Sequence, residues 1–251
     1  MQIRKNHKIS KKSGTIPGSL IHIGEQKAEK QKISIIDYDK DNFEEKEIEN
    51  IEDCFPFKEK QSVTWINIDG LHNVENIGKL GSNFGIHPLI LEDILNTGQR
   101  PKTEDFEDHL FMVLKMLKLN EKNSEIDVEQ VSIILGNNFV ISFQECEGDV
   151  FTNIRERIRK NKGRIRKMEV DYLAYSLIDA VVDNYYFILE NFGEKIEILE
   201  DNLINSPEPD TLEQIYKLKR TLIGLRKSVW PLRELILTLT REESKLITAK
   251  T

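Results

Sequence analysis

Two periods of apolar residues run along this chain, and the change from one to the other divides it near Val150. Before that point the text is strand-like. Ser19–Ile23 and Ile33–Tyr38 cluster or alternate apolar residues, which predicts two strands. Ser62–Gly70 is β-branched and closed by a turn glycine, which predicts another. His109–Leu117, Val128–Leu135 and Phe139–Phe143 complete the set, the last two joined across Gly136, Asn137 and Asn138 as a hairpin. Between them the spacing turns helical. The charged stretch Asp41–Asn50 predicts a short helix. Val74, Ile77, Leu80 and Phe84 mark a helix over Asn73–Phe84 stopped by Gly85. A shorter helix follows, with Pro88 at its first position and Leu91, Ile94 and Leu95 on one face. This order predicts an α/β fold, an α/β/α sandwich around a mixed parallel/antiparallel sheet.

After Val150 the helical period takes over. Tyr185, Leu189, Phe192, Ile196, Leu199 and Leu203 follow at spacings of 4, 3, 4, 3 and 4, a coiled-coil seam within one long helix over Asp171–Leu203. Asn205–Asp210 breaks it, with Asp210 read as the N-cap of the next helix. That helix carries Ile215, Leu218, Leu222, Leu225, Val229, Leu232, Ile236 and Leu239, a matching seam that Pro231 should kink. Two seams joined by a short turn predict a long antiparallel helical hairpin. The expected layout is a flexible tail over 1–18, the α/β/α domain over 19–165, the hairpin over 166–240 and a further helix starting at 241.

Composition changes the picture in one direction. The net charge of −7 and pI of about 5.4 argue against nucleic-acid binding and favour cations as ligands. Cys54 and Cys146 fit neither a metal nor a disulfide spacing, which points to a reducing compartment. No run of about 18 apolar residues, the length a membrane helix needs, interrupts the sequence, and a soluble chain is expected.

The candidate chemistry is carboxylate chemistry. Glu92 and Asp93 lie side by side off the apolar face of their short helix; adjacent helix residues diverge, so they are no hydrolytic pair. Asp179 interrupts Leu177, Ile178, Ala180, Val181 and Val182, with Asp171 and Asp183 nearby on the same helix. A carboxylate desolvated alone there would be costly, which suggests a cation or an interface partner. Oxygen donors of this kind suit a hard divalent ion such as Mg²⁺. Glu190, Glu194, Glu197 and Asp201 form an acidic stripe further along; between Glu190 and Glu213 there are eight acids and one base, Lys195. The basic run Arg155–Lys167 reads as a phosphate or lipid-headgroup patch or, more simply, as a solvated face. The five histidines are isolated, and there is no phosphate-binding glycine loop, nucleotide fingerprint, zinc-helix motif or nucleophile elbow.

Several segments together resemble one family. Thr64–Ile68, Gly85–Leu95, Gln99–Lys102, Val131–Leu135, Tyr175–Asp183 and Leu225–Glu234 are similar, in order, to the CorA family of magnesium and cobalt transport proteins. The resemblance implies the cytoplasmic domain of a homopentameric transporter at the cell membrane. It implies Mg²⁺, or Co²⁺ or Ni²⁺, held between subunits so that the pore stays closed. It assigns Glu92, Asp93 and Asp179 as metal ligands, with neither a catalytic residue nor a nucleic-acid partner. It also implies that residues 241–251 begin a stalk helix leading to a membrane region, which this chain does not reach, nor the family's Gly-Met-Asn pore signature. The competing expectation is a soluble scaffold presenting its coiled-coil hairpin to a protein partner, indifferent to divalent ions. A hydrolase fares worst, because no nucleophile–base pair accompanies the acids.

Overall fold

The computed structural model describes residues 14–119, 126–205, 209–241, 244–248 and 251. Seven strands form one sheet: β1 (Lys32–Tyr38), β2 (Phe43–Ile48), β3 (Val63–Asp69), β4 (Lys102–Asp105), β5 (Leu110–Leu119), β6 (Ile126–Leu135) and β7 (Phe139–Gln144). Their order is β2-β1-β3-β7-β6-β5-β4, with β3 and β7 parallel and every other pair antiparallel. The sheet is mixed, as the sequence predicts. Its side chains alternate between two cores. One face buries Ile33, Ile35, Ile66, Ile68, Phe111, Ile141 and Phe143 under α1 (Val74–Phe84), α2 (Pro88–Leu95) and a 3-10 turn over Ile51–Glu59. The other buries Trp65, Met112, Leu114, Val131, Ile133 and Val140 under α3 (Thr152–Arg159) and α4 (Val170–Asn205).

Helix α2, which carries the paired acids, is set by local chemistry. Asn73 caps α1 by accepting from the Asn76 amide at 3.2 Å. Gly85 ends α1 in the left-handed region at φ 74°, where glycine carries no Cβ penalty. His87 then caps α2, its Nδ1 accepting from the Leu89 amide at 3.2 Å, and Pro88 opens the helix. Leu91 packs where Gly81 leaves room, since a Cβ there would lie 2.3 Å from Leu91 Cδ1. Gly81→Ala is therefore expected to overpack the α1–α2 contact and cost about 1–3 kcal/mol in urea unfolding. An unchanged midpoint would mean that α2 is not held there.

Helix α4 runs 36 residues. Its first half lies on the sheet, with the Tyr185 hydroxyl donating to the Lys115 carbonyl and Asn184 to that of Leu117. Its second half leaves the sheet, and α5 (Pro209–Val229) packs back on it. The seam is real but shallow: Phe192 and Leu225 are buried, Ile196, Leu199, Leu218 and Leu222 half-buried, and Leu189 and Leu203 exposed. The Pro231 break falls where expected, between α5 and α6 (Leu232–Arg241). Beyond it α6 buries Leu232 and Leu235, keeps Leu239 half-buried against the core and leaves Ile236 38% exposed. Residues 245–247 form a turn rather than a helix. The Thr248 amide and hydroxyl donate to the buried Asp171 carboxylate at 2.7 and 2.8 Å, tying this segment to the start of α4.

Four other elements differ from expectation. Asp41–Asn50 holds strand β2, not a helix. The Asp39 carboxylate accepts from the Asp41 and Asn42 amides at 2.7 and 2.6 Å, which turns the chain into an antiparallel hairpin with β1. Its acids and Lys46 suit a sheet edge, where charge discourages pairing with another chain. Ser19–Ile23 is not a strand; it contributes one bridge, Ile23 to Asn96. Strand β4 was not foreseen; its sequence, Lys102–Asp105, is wholly polar. Asp210 lies in the first turn of α5 rather than at a cap, since the helix already includes Pro209. The tail residues 1–13 and the hairpin turn 206–208 lie outside the described residues.

Candidate functional site

The three candidate ligands sit on two helices and on opposite faces of the sheet. Glu92 and Asp93 project from α2 on one face, and Asp179 from α4 on the other. Each has a different environment. Glu92 Oε2 accepts from the Gly18 amide. Asp93 is 20% exposed at its side chain and paired with Lys102 Nζ at 2.6 Å, with Gln99 Nε2 on its other oxygen. Burial opposes the Lys102 charge, yet bonds to Asp93 and Glu104 hold its ammonium above the ordinary 10.5.

Asp179 is exposed, although Leu177, Ile178 and Val181 around it are buried. Helical geometry turns it away from the sheet, so no desolvation penalty is incurred within one chain. The Tyr175 hydroxyl reaches its Oδ1 at 3.4 Å, and the Asp179 charge raises the tyrosine's pKa. Asp171, which the sequence groups with Asp179, is committed to Thr248 and to the Tyr172 amide.

Among the described residues no three of His, Cys, Asp and Glu converge on a point where a metal could sit. The donor set, carboxylates without thiolate or imidazole, fits a hard divalent ion. Within one chain the sheet keeps Glu92 and Asp93 on α2 apart from Asp179 on α4. Lys102 is the partner that sequence reasoning missed. Its signal was present in the Gln99–Lys102 segment, nine residues after Asp93.

A buried polar network lies at the carboxyl ends of β3 and β7, under α3. Trp65 Nε1 donates to Ser142 at 2.8 Å, and Ser142 and Gln144 donate to Asn67 Oδ1 at 2.6 and 2.9 Å. Gln144 also reaches Asp149, which Arg155 grips with both nitrogens at 2.7 and 2.6 Å. Asp69 ends the network, accepting from Asn67 at 3.2 Å. Its alternating polar positions on apolar strands were visible in the sequence, but their convergence depends on the β3–β7 register.

An α/β domain of this topology with a long helix folded over its sheet is the architecture of the soluble domains of CorA-type transport proteins. It matches the soluble domain of CorA from Methanocaldococcus jannaschii with a TM-score of 0.68 at 21% identity, over 87% of this chain and 82% of that one. The complete structure of that magnesium transporter matches equally well, at 0.68 and 21%, over 86% of this chain and 65% of the transporter. The chain belongs to the CorA family: the model described as CorA-like Mg²⁺ transporter protein matches residues 60–251. The cobalt/magnesium transport protein CorA of Thermotoga maritima is 45% identical to it over 244 residues, 97% of this chain and 69% of that protein. No helix among the described residues is long and apolar enough to cross a membrane.

Proposed function

We propose that this chain is the cytoplasmic, cation-sensing part of a magnesium and cobalt transporter, with Mg²⁺ bound between subunits favouring the closed state. The observation that carries the reading is the placement of the acids. Glu92 and Asp93 lie on one sheet face and Asp179 on the other, so one copy can supply both halves of a site only to two different neighbours. Such head-to-tail contacts are heterologous and form a closed ring when the rotation between copies closes; the family resemblance makes that ring a pentamer. Bound between copies, the ion would neutralise carboxylates that otherwise repel, and its differential affinity for the closed ring would shift the equilibrium. Lys102 pairs with Asp93 at 2.6 Å, so an ion bound there would share the carboxylate with it. Co²⁺ and Ni²⁺ share the oxygen-ligand chemistry less well than Mg²⁺.

The test is Mg²⁺-dependent protection of the full-length protein from limited proteolysis. Asp179→Ala and Asp93→Ala should each raise the half-protecting Mg²⁺ concentration by about tenfold or more, the scale on which metal sites respond to altered ligation. Unchanged half-points in both variants would remove these residues from the site and leave the scaffold reading standing.

A further inference from the structure

The basic run Arg155–Lys167 separates into cations that hold the fold and cations that do not. Arg155 grips Asp149 and lies over the Trp65 ring at 4.8 Å. Arg159 pairs with Glu45 at 2.6 Å. Arg166 is buried, donating to the Ile158 and Arg159 carbonyls and covering Phe43. Two remain. Arg157 makes one long bond, 3.4 Å to the Tyr172 hydroxyl, and Lys162 has no side-chain partner among the described residues.

Both line a cleft of about 690 Å³ between α3 and α4. Glu156 and Lys160, also on its wall, neutralise each other. The opposite wall is α4, which contributes Asp179, Asp183 and, at 56% exposure, the Phe187 ring. A bare anion would suit Arg157 and Lys162 but meet two carboxylates. A bare cation would meet the reverse. A ligand carrying phosphate oxygens and a divalent metal together satisfies both walls. The volume lies within the range of about 300–1,000 Å³ usual for small-molecule sites, and an exposed aromatic ring at the wall can stack on a base.

We propose that this cleft binds the magnesium complex of a nucleoside triphosphate. Arg157 and Lys162 take the phosphates, Asp179 and Asp183 face the metal, and Phe187 packs on the base. The inference rests on the cation-sensing reading in that Asp179 serves both. It gives the sensor a second input, the metal carried as a nucleotide complex.

Calorimetric titration of the 251-residue chain tests it, with Mg-ATP, ATP in EDTA, Mg-tripolyphosphate and MgCl₂ as separate titrants. Mg-ATP should bind, and ATP in EDTA should bind at least tenfold more weakly. The double variant Arg157→Ala with Lys162→Ala should weaken Mg-ATP by tenfold or more and leave the response to MgCl₂ unchanged. Phe187→Ala should weaken Mg-ATP but not Mg-tripolyphosphate. Absence of Mg-ATP binding, or binding indifferent to the double variant, overturns the proposal. Equal binding of the two complexes with no effect of Phe187→Ala overturns the nucleoside assignment. Since Arg157 and Lys162 are surface cations, a circular dichroism melt matching the parent excludes misfolding. The cation-sensing reading fails on MgCl₂-dependent protection and this one on Mg-ATP, so the two failures are distinguishable.

Discussion

Replacing Arg155 by alanine is expected to lower the unfolding free energy by about 3–5 kcal/mol, the usual cost of leaving one member of a buried ion pair alone. The pair is enclosed: the side chains of Arg155 and Asp149 are 17% and 6% exposed. Burial opposes the Asp149 charge, and the Arg155 bonds and charge more than offset it, holding the carboxyl below its ordinary 3.8. Removing the guanidinium leaves that charge facing Asp69 in the same buried region, and also removes the contact over Trp65. The Phe151 amide and Gln144 remain on Asp149, so two hydrogen bonds must hold a carboxylate that formerly had a guanidinium as well. Arg155→Lys should recover only part of the loss, because an ammonium cannot donate in parallel to both oxygens. Equilibrium urea denaturation at pH 7 reads the effect directly. A loss below about 1 kcal/mol would show that the pair behaves as a surface bridge does.

The same network marks where sequence reasoning stops. Period alone located β3, β5, β6 and β7, because their apolar residues alternate or run on and nothing local competes. It also located α1, α2 and the 36-residue α4, through the Gly85 stop, Pro88 at a first helical position and the Tyr185–Leu203 seam. It failed where a tertiary partner decides. The charged Phe43–Ile48 segment is a strand because β1 offers a free edge and Asp39 turns the chain toward it. Lys102–Asp105 is a strand because β5 pairs with it, not because of its own residues. Beyond Pro231 the buried position is Leu235 rather than the Ile236 of the heptad count.

The site was legible in the same uneven way. The carboxylates lie on the helices where the pattern put them. Their separation by the sheet, the pairing of Asp93 with Lys102 and the opposed charges of α3 and α4 are facts of assembly. The exposure of Asp179 is the sharpest case. Its apolar neighbours suggested a desolvated acid, yet its angular position on α4 leaves it in water until something covers it.

Stability is expected to fall as pH rises from about 4 to about 7, and Asp69→Asn should remove most of that slope. Burial first, and then the Asp149 charge, push the Asp69 carboxyl from its ordinary 3.8 up to about 7; the Asn67 bond and Arg155 act the other way and only moderate it. The folded state therefore holds a proton that the unfolded chain releases. Below about 4 both states are protonated, and the favourable contribution is fully present. Between about 4 and 7 the unfolded chain ionises alone, which draws the equilibrium toward unfolding. Above about 7 the folded state must ionise as well, and the contribution is gone. At about 1.4 kcal/mol per pH unit the window corresponds to about 4 kcal/mol. Asp149 contributes an opposite slope near its own lowered pKa, so the two carboxyls separate in pH and can be told apart. Asparagine keeps the shape and the acceptor facing Asn67 Nδ2 but carries no charge. The variant should be more stable than the parent at pH 8 by about 2–4 kcal/mol and nearly equal to it at pH 4. Urea midpoints measured from pH 4 to pH 8 provide the check. Parallel curves for the two proteins would mean that Asp69 ionises at its ordinary pKa and that the network is wet.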